Sequence, residues 1–213
     1  AVSYWTAPSS FWAFQPSGSP PSASDSPDGA VVEKGAVAQS LRVTYATSQS
    51  ARKIYTCVAC SAGTAFSSTA GAATSFDDGN TLVTAAALTP LGTPTLSSGE
   101  RTTLINWVRG QDNNTDENLD GSLTDARASL HGDVLHSRPA VVNYNRTGDG
   151  NDVVIFYGAN DGMFRAVKGG TGASDGFEKW AFVPQEFFSR LKRLRDNAPA
   201  ISASNPKTYF ADG

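Results

Sequence analysis

Acidic and amide side chains alternate along residues 112–120, which read Asp-Asn-Asn-Thr-Asp-Glu-Asn-Leu-Asp. Asp112, Asn114, Asp116 and Asp120 stand at the first, third, fifth and ninth positions, and Asn118 at the seventh can offer its backbone carbonyl. A hard cation such as Ca²⁺ takes about six to eight oxygen ligands, which alternate residues of a tight loop can supply. The spacing therefore predicts a calcium site made by these residues.

The loop departs from the EF-hand pattern at two positions. Glu117 stands at position six in place of glycine, and Leu123 stands at position twelve in place of a bidentate glutamate. The missing ligand is expected from Asp125, Asp133 or water. The alternative is an acidic surface loop that binds no metal.

A C-x-x-C pair, Cys57 and Cys60, supplies the only cysteines of the chain and has three interpretations. A thioredoxin-like site needs a βαβ setting and a helix start, which residues 61–63 do not indicate. Zinc needs two more ligands, and the only histidines, His131 and His136, lie about seventy residues further on. A small local disulfide in an oxidising compartment is the favoured interpretation.

A short helix is predicted immediately before the acidic loop. Ser97 is its expected N-cap, with the Glu100 side chain reaching back to the Ser97 amide in a capping box. An apolar stripe at helical spacing follows, and Gly110 is expected to end the helix. The loop would then begin where the helix stops.

The second half of the chain predicts an antiparallel meander. Its strongest strand is the apolar run at 152–158, and Asn160-Asp161-Gly162 is a tight hairpin signal. A helix is expected after Pro184. The other predicted strands cover 52–58, 134–144 with an interruption at Pro139, 163–168, 178–183 and 209–213.

Composition narrows the classes of function. Charged residues make up 17% of the chain and the net charge is −3, which disfavours a nucleic-acid partner. No apolar run has the length of a membrane span. Low charge with many small polar residues suggests an exported, β-rich protein. No signal peptide is visible, so the chain is expected to be a mature protein or a processed fragment.

Several motifs together resemble the PilC/PilY family of type IV pilus tip-associated proteins. Residues 130–139 (LHGDVLHSRP) resemble the family's leader into the first propeller strand, and residues 157–166 (YGANDGMFRA) its first blade hairpin. Residues 180–184 and 209–213 resemble the end of that blade and the start of the next. Upstream, 32–42 and 52–57 also match, so the resemblance covers roughly 30–213.

We therefore expect a mainly β fold with a few short helices. A partial β-propeller-like meander would follow a mixed α/β segment. Three regions are expected: an aromatic segment and linker at 1–29, a mixed segment with the calcium loop at 30–129, and the start of a propeller at 130–213. A complete propeller needs several four-stranded blades, and this chain holds about one.

The resemblance implies a calcium-binding segment of a pilus tip or outer-surface protein that acts in pilus biogenesis, twitching motility and adhesion. Its partners would be pilin subunits or a host or abiotic surface, together with the rest of the parent chain or copies of itself. A self-assembling filament subunit is the alternative. A quinoprotein-like enzyme is disfavoured because one blade cannot enclose a cofactor and no nucleophile–base pair stands out.

Overall fold

The fold is known from a computed structural model. It describes Trp5 and residues 36–117, 120–127, 130–148, 151–172 and 174–211. The predicted region 1–29 lies outside the described residues, apart from Trp5. The Trp5 indole Nε1 donates to the carbonyl of Gly170, at a distance of 2.7 Å.

The described strands form one five-stranded mixed sheet with the strand order β1-β5-β4-β3-β2. Strands β2 to β5 are antiparallel neighbours in sequence order, whereas β1 pairs parallel to β5 through Ile54 opposite Ala181. The strands are β1 (Ile54–Tyr55), β2 (Ala140–Asn143), β3 (Val153–Ala159), β4 (Met163–Lys168) and β5 (Glu178–Phe182).

Four α-helices are described, and the last three pack against one another. They are α1 (Ala36–Thr44), α2 (Ala85–Leu88), α3 (Ser98–Arg109) and α4 (Phe188–Asp196). Short 3₁₀ turns occupy Gln49–Ala51 and Gln185–Phe187. Helices hold more of the described residues than strands do, so the fold is mixed α/β rather than mainly β.

Local signals place α3 as the sequence predicted. The Ser97 hydroxyl accepts the amide of Glu100 at 3.1 Å, and Gly110 ends the helix with a φ of 117°. The Glu100 carboxylate does not complete the expected capping box. It pairs instead with Arg195 and, at 3.3 Å, with Lys192 on α4, so it joins two helices.

The predicted hairpin is confirmed, whereas several strand bounds are wrong. Strand β3 pairs with β2 on one side and with β4 on the other, and Gly162 turns the β3–β4 hairpin with a φ of 86°. The strand predicted at 134–144 is limited to β2, and the one at 52–58 to two residues.

The strand expected at 209–213 is also wrong for residues 209–211, and residues 212 and 213 lie outside the described part of the chain. Residues 209–211 belong to no strand and cross the end of the hairpin. The carbonyl oxygen of Ala211 lies so close to Gly158 that a Cβ there would meet it at 2.0 Å. Phe210 inserts beside Leu191 and Phe187, and its amide donates to Asn160 Oδ1 at 3.1 Å.

One hydrophobic core joins the residues on both sides of the boundary predicted at 129/130. Upstream residues such as Phe76 and Leu104 pack in the same cluster as Met163, Ala181 and Phe188. The rings of Phe76 and Phe188 are 5.5 Å apart. The two predicted regions therefore fold against each other.

A buried charge network lies beside this core. Arg52 donates to both oxygens of Glu178, at 3.1 and 2.9 Å, and Arg165 donates to the same carboxylate at 3.0 Å. Arg165 also reaches Asp161 at 2.9 Å. Burial alone would raise the pKa of Glu178, but the charges of Arg52 and Arg165 outweigh it, so the pKa is lowered.

Replacing Glu178 by glutamine is expected to destabilise the fold strongly. The change leaves two buried guanidinium groups without their shared counter-charge, and breaking a buried ion pair from one side costs about 3–5 kcal/mol. Urea unfolding measures the difference. Asp152→Asn is the matched control, because Asp152 pairs with an exposed Arg146, and its unfolding midpoint should stay near that of the wild type. Equal effects of both variants would contradict the structural role of Glu178.

Candidate functional site

The acidic loop starts where α3 ends, and its return segment lies directly opposite. Gln111 and Ala126 form an antiparallel bridge, and the Asp112 amide donates to the carbonyl of Asp125 at 2.9 Å. Of the two carboxylates expected to complete the site, Asp125 is therefore at the loop. Asp133 is not, because it pairs with Lys207 and accepts the amide of Asn160.

The loop's own amides hold its carboxylates. Asp112 Oδ2 accepts the amide of Glu117 at 2.8 Å. Asp116 accepts the amides of Asp120 and Gly121, at 3.1 and 2.7 Å. These hydrogen bonds wrap the loop backbone around its own acidic side chains.

The predicted ligands differ in depth. Asp112 is completely buried and Asp116 is half-buried, whereas Asn114 and Asp120 are exposed. Asn118 lies outside the described residues. Within the described ranges, no three His, Cys, Asp or Glu side chains stand close enough to hold a metal ion together.

Asn113 is a further polar group that the sequence pattern did not select. Its Nδ2 donates to the carbonyl of Thr103 at 3.0 Å and to Gln111 Oε1 at 3.2 Å. Its Oδ1 is buried and accepts no hydrogen bond. A buried amide oxygen that accepts no hydrogen bond is a good ligand for a hard cation, because its lone pairs are not used by a donor.

Arg127 is a positive charge close enough to the loop to interact with Glu117 and Asp112. Its guanidinium lies 3.9 Å from the centre of the Trp107 ring, and its Nε donates to the Trp107 carbonyl at 3.2 Å. Burial lowers its pKa, and the charges of Glu117 and Asp112 act in the opposite direction. Five acidic residues lie between 112 and 125, so one arginine leaves an excess of negative charge.

The two cysteines are joined by a disulfide just after β1, with Cα atoms 5.5 Å apart. The closed turn lies beside the core, because Val58 packs against it and the Thr56 hydroxyl donates to the carbonyl of Val183 at 2.8 Å. The two histidines that a zinc site would need contact other residues. His131 bonds to Tyr157, and the His136 ring lies 5.9 Å from that of Tyr209.

His131 belongs to a second polar group that the sequence did not reveal. Its Nδ1 lies 2.6 Å from the Gly132 carbonyl and its Nε2 lies 2.7 Å from the Tyr157 hydroxyl. Since a carbonyl only accepts, Nδ1 carries the proton and Tyr157 donates to Nε2. Asp161 Oδ2 accepts the Gly132 amide at 2.9 Å, which links this group to the Arg165 network.

Comparison with known proteins identifies no relative. No family model, no curated protein and no solved structure matches the chain. In the part of the chain that the structure describes, no helix is long and apolar enough to cross a membrane.

The pH dependence of stability should report on His131. Burial, aided by the charge of Arg165, lowers its pKa from 6.5 to about 4. The unfolded chain therefore takes up this proton first as pH falls, and stability is lost from about pH 6.5 down to pH 4. Between pH 7 and pH 5 the loss should be about 2 kcal/mol.

Urea unfolding of His131→Gln at the two pH values tests this. The variant should lose less unfolding free energy than the wild type between pH 7 and pH 5. His136→Gln, which changes the other histidine, should keep the wild-type difference. A wild-type pH response in His131→Gln would show that the buried imidazole is not its source.

Cys57 and Cys60 should resist alkylation in the native protein without reductant. The expected result is an unmodified mass, and reduction should add two alkyl groups. Because the bridge closes only a four-residue turn, chain entropy accounts for about 2 kcal/mol of stability at most. Two alkylated thiols before reduction, or one bound zinc per chain, would overturn the assignment.

Proposed function

We propose that this chain is a calcium-binding segment of an extracellular surface protein related to the PilC/PilY pilus tip proteins. It would act in pilus biogenesis, twitching motility and adhesion, with pilin subunits or a host or abiotic surface as partners. Two features support the proposal: the acidic loop and the four-stranded antiparallel meander from β2 to β5. In this proposal the meander corresponds to one propeller blade.

The acidic loop carries the calcium part of the proposal. Asp112 begins it on a helix end that is fixed by core packing, and Asp125 lies across from Asp112. Asp125 then takes the place of the glutamate that an EF-hand has at position twelve. Asp133, bound to Lys207 at the hairpin, has no part in the site.

Calcium would change the loop in a defined way. The cation would neutralise the excess negative charge and draw in the exposed Asn114 and Asp120 with the carbonyl of Asn118. The buried oxygen of Asn113 could join them without losing a hydrogen bond. Since several ligands must move inward, affinity should be that of an extracellular module, at about 10⁻⁴–10⁻³ M, rather than that of a sensor.

The titratable groups favour a binding role over an enzymatic one. Asp161, whose pKa is lowered, and Arg165, whose pKa is raised, pair with each other inside the fold. Arg165 Nη1 lies 2.9 Å from Asp161 Oδ1. The neutral His131 is held between Tyr157 and Gly132. Buried ion-pair networks also perturb pKa values, and these contacts favour that explanation for Asp161, Arg165 and His131.

Isothermal titration with CaCl₂ tests the calcium site. The wild-type chain should bind calcium in the range given above, and Asp116→Ala should lose most of the heat because it removes a central ligand. Asp125→Asn should weaken binding as well. Asp133→Ala is the matched control and should bind like the wild type. Equal heats from wild type and Asp116→Ala would overturn the assignment.

A further inference from the structure

The residues at the hairpin end of the sheet divide between its two faces. Ala140 of β2 lies opposite Phe156 of β3, and Phe164 of β4 lies opposite Gly158 of β3. Because alternate residues of a strand share a face, all four lie on the same side of the sheet. Met163 belongs to the hydrophobic core and precedes Phe164, so these four residues lie on the face that points away from the core.

Aromatic rings form an apolar wall on this outer face. The rings of Phe156 and Phe164 are nearly parallel, with centres 6.3 Å apart. The Trp180 ring lies behind both, at 6.0 and 6.1 Å. Phe164 keeps 37% of its surface in contact with solvent. The wall is therefore open to a ligand at its Phe164 end.

A cavity of about 320 Å³ opens beside this wall. Phe156 and Phe164 line it from the sheet, together with segment 137–138, which leads into β2, and segment 210–211, which crosses the end of the hairpin. Small-ligand sites commonly have volumes of about 300–1,000 Å³. The cavity therefore suits a ligand of about the size of one amino acid.

The polar side chains of the lining are donors. The Tyr157 hydroxyl is bonded to His131. Ser137 Oγ accepts the Gly158 amide at 2.9 Å, which leaves the hydroxyl proton free to donate. Arg138 is exposed and forms no hydrogen bond or ion pair within the described residues. Among the described residues that line the cavity, none is acidic.

We propose that this cavity binds an aryl carboxylate, in which a carboxylate is joined to an aromatic ring by a short linker. The Arg138 guanidinium pairs with the carboxylate, the Ser137 hydroxyl donates to it, and the ring packs against Phe156 and Phe164. The cavity shares no residue with the acidic loop, so this binding goes beyond the calcium function and does not depend on it.

The single arginine and the apolar wall select this class of ligand together. A guanidinium binds a planar carboxylate through two parallel hydrogen bonds, which a neutral amide cannot accept in the same way. A phosphate monoester carries about 1.5–2 negative charges, which one arginine does not balance. Aromatic rings at the observed spacing favour a further ring over an aliphatic chain.

Titration of the full 213-residue chain, followed by ¹⁵N NMR, tests the site. 3-Phenylpropionate should shift the amide signals of Gly158 and Ala211 saturably. 3-Phenylpropionamide lacks the charge and acetate lacks the ring, so each should bind about tenfold more weakly or worse. Equal affinity for the acid and its amide, or no saturable shift with the acid, would overturn the proposal.

The same chemistry occurs in free aryl acids and at the end of a polypeptide whose last residue is phenylalanine. N-acetylglycylphenylalanine presents the second form. Tighter binding of this peptide than of 3-phenylpropionate would identify a chain end as the ligand, and weaker binding would identify a free acid. Either result supports the site.

A charge variant tests the role of Arg138. Arg138→Gln should weaken binding of 3-phenylpropionate about tenfold and leave binding of the amide unchanged, with the circular dichroism spectrum of the wild type. Lys179→Gln is the matched control, because it removes an exposed positive charge that does not line the cavity, and it should bind like the wild type. Unchanged acid binding in Arg138→Gln, or equal weakening in both variants, would contradict the proposed contact.

Discussion

The carboxylate of Glu178 is the contact on which the rest of the structure depends. It lies on β5 and is shared by Arg165 on β4 and by Arg52, which precedes β1. The side chains of both arginines are completely buried. A buried guanidinium requires a counter-charge, because transferring it from water without one costs far more than any single hydrophobic contact returns. The segment that carries Arg52 cannot separate from the sheet without breaking the ion pair between Arg52 and Glu178.

Arginine–carbonyl contacts extend this framework into a region with little regular structure. Arg109, at the end of α3, donates to the carbonyls of Phe76, Ser50 and Arg52, at 2.6, 2.7 and 2.8 Å. The Arg52 guanidinium in turn donates to the Arg109 carbonyl at 2.7 Å. Backbone carbonyls that would otherwise be buried without partners are satisfied in this way. The same contacts fix the end of α3, and with it the first residue of the acidic loop.

Local chemistry made part of this structure predictable. The Ser97 cap, the glycine that ends α3 and the Asn-Asp-Gly hairpin are recognisable because each depends on neighbours a few residues away. The alternation of oxygens at 112–120 is equally local. The choice between Asp125 and Asp133 as a further ligand could not be predicted locally, because it depends on which distant segment folds back opposite Asp112.

Long-range contacts account for what the sequence did not reveal. The parallel pairing of Ile54 with Ala181 spans most of the described chain, and no pattern in either strand specifies it. Arg52 and Arg165 read as surface residues by type, because arginine is seldom fully buried. The 209–211 segment has strand-like composition, but Phe210 is drawn into the core beside Leu191 instead.

Native-state hydrogen exchange tests most directly whether the buried ion network makes one cooperative unit of the helical segment and the sheet. Amides of Leu104 and Ile105 in α3 should exchange with the same opening free energy as those of Ile155 and Val167 in the sheet, and urea should lower both sets in parallel. That result would show that the two parts open only together. Exchange of the α3 amides at a clearly lower free energy, while the sheet stays protected, would contradict the account.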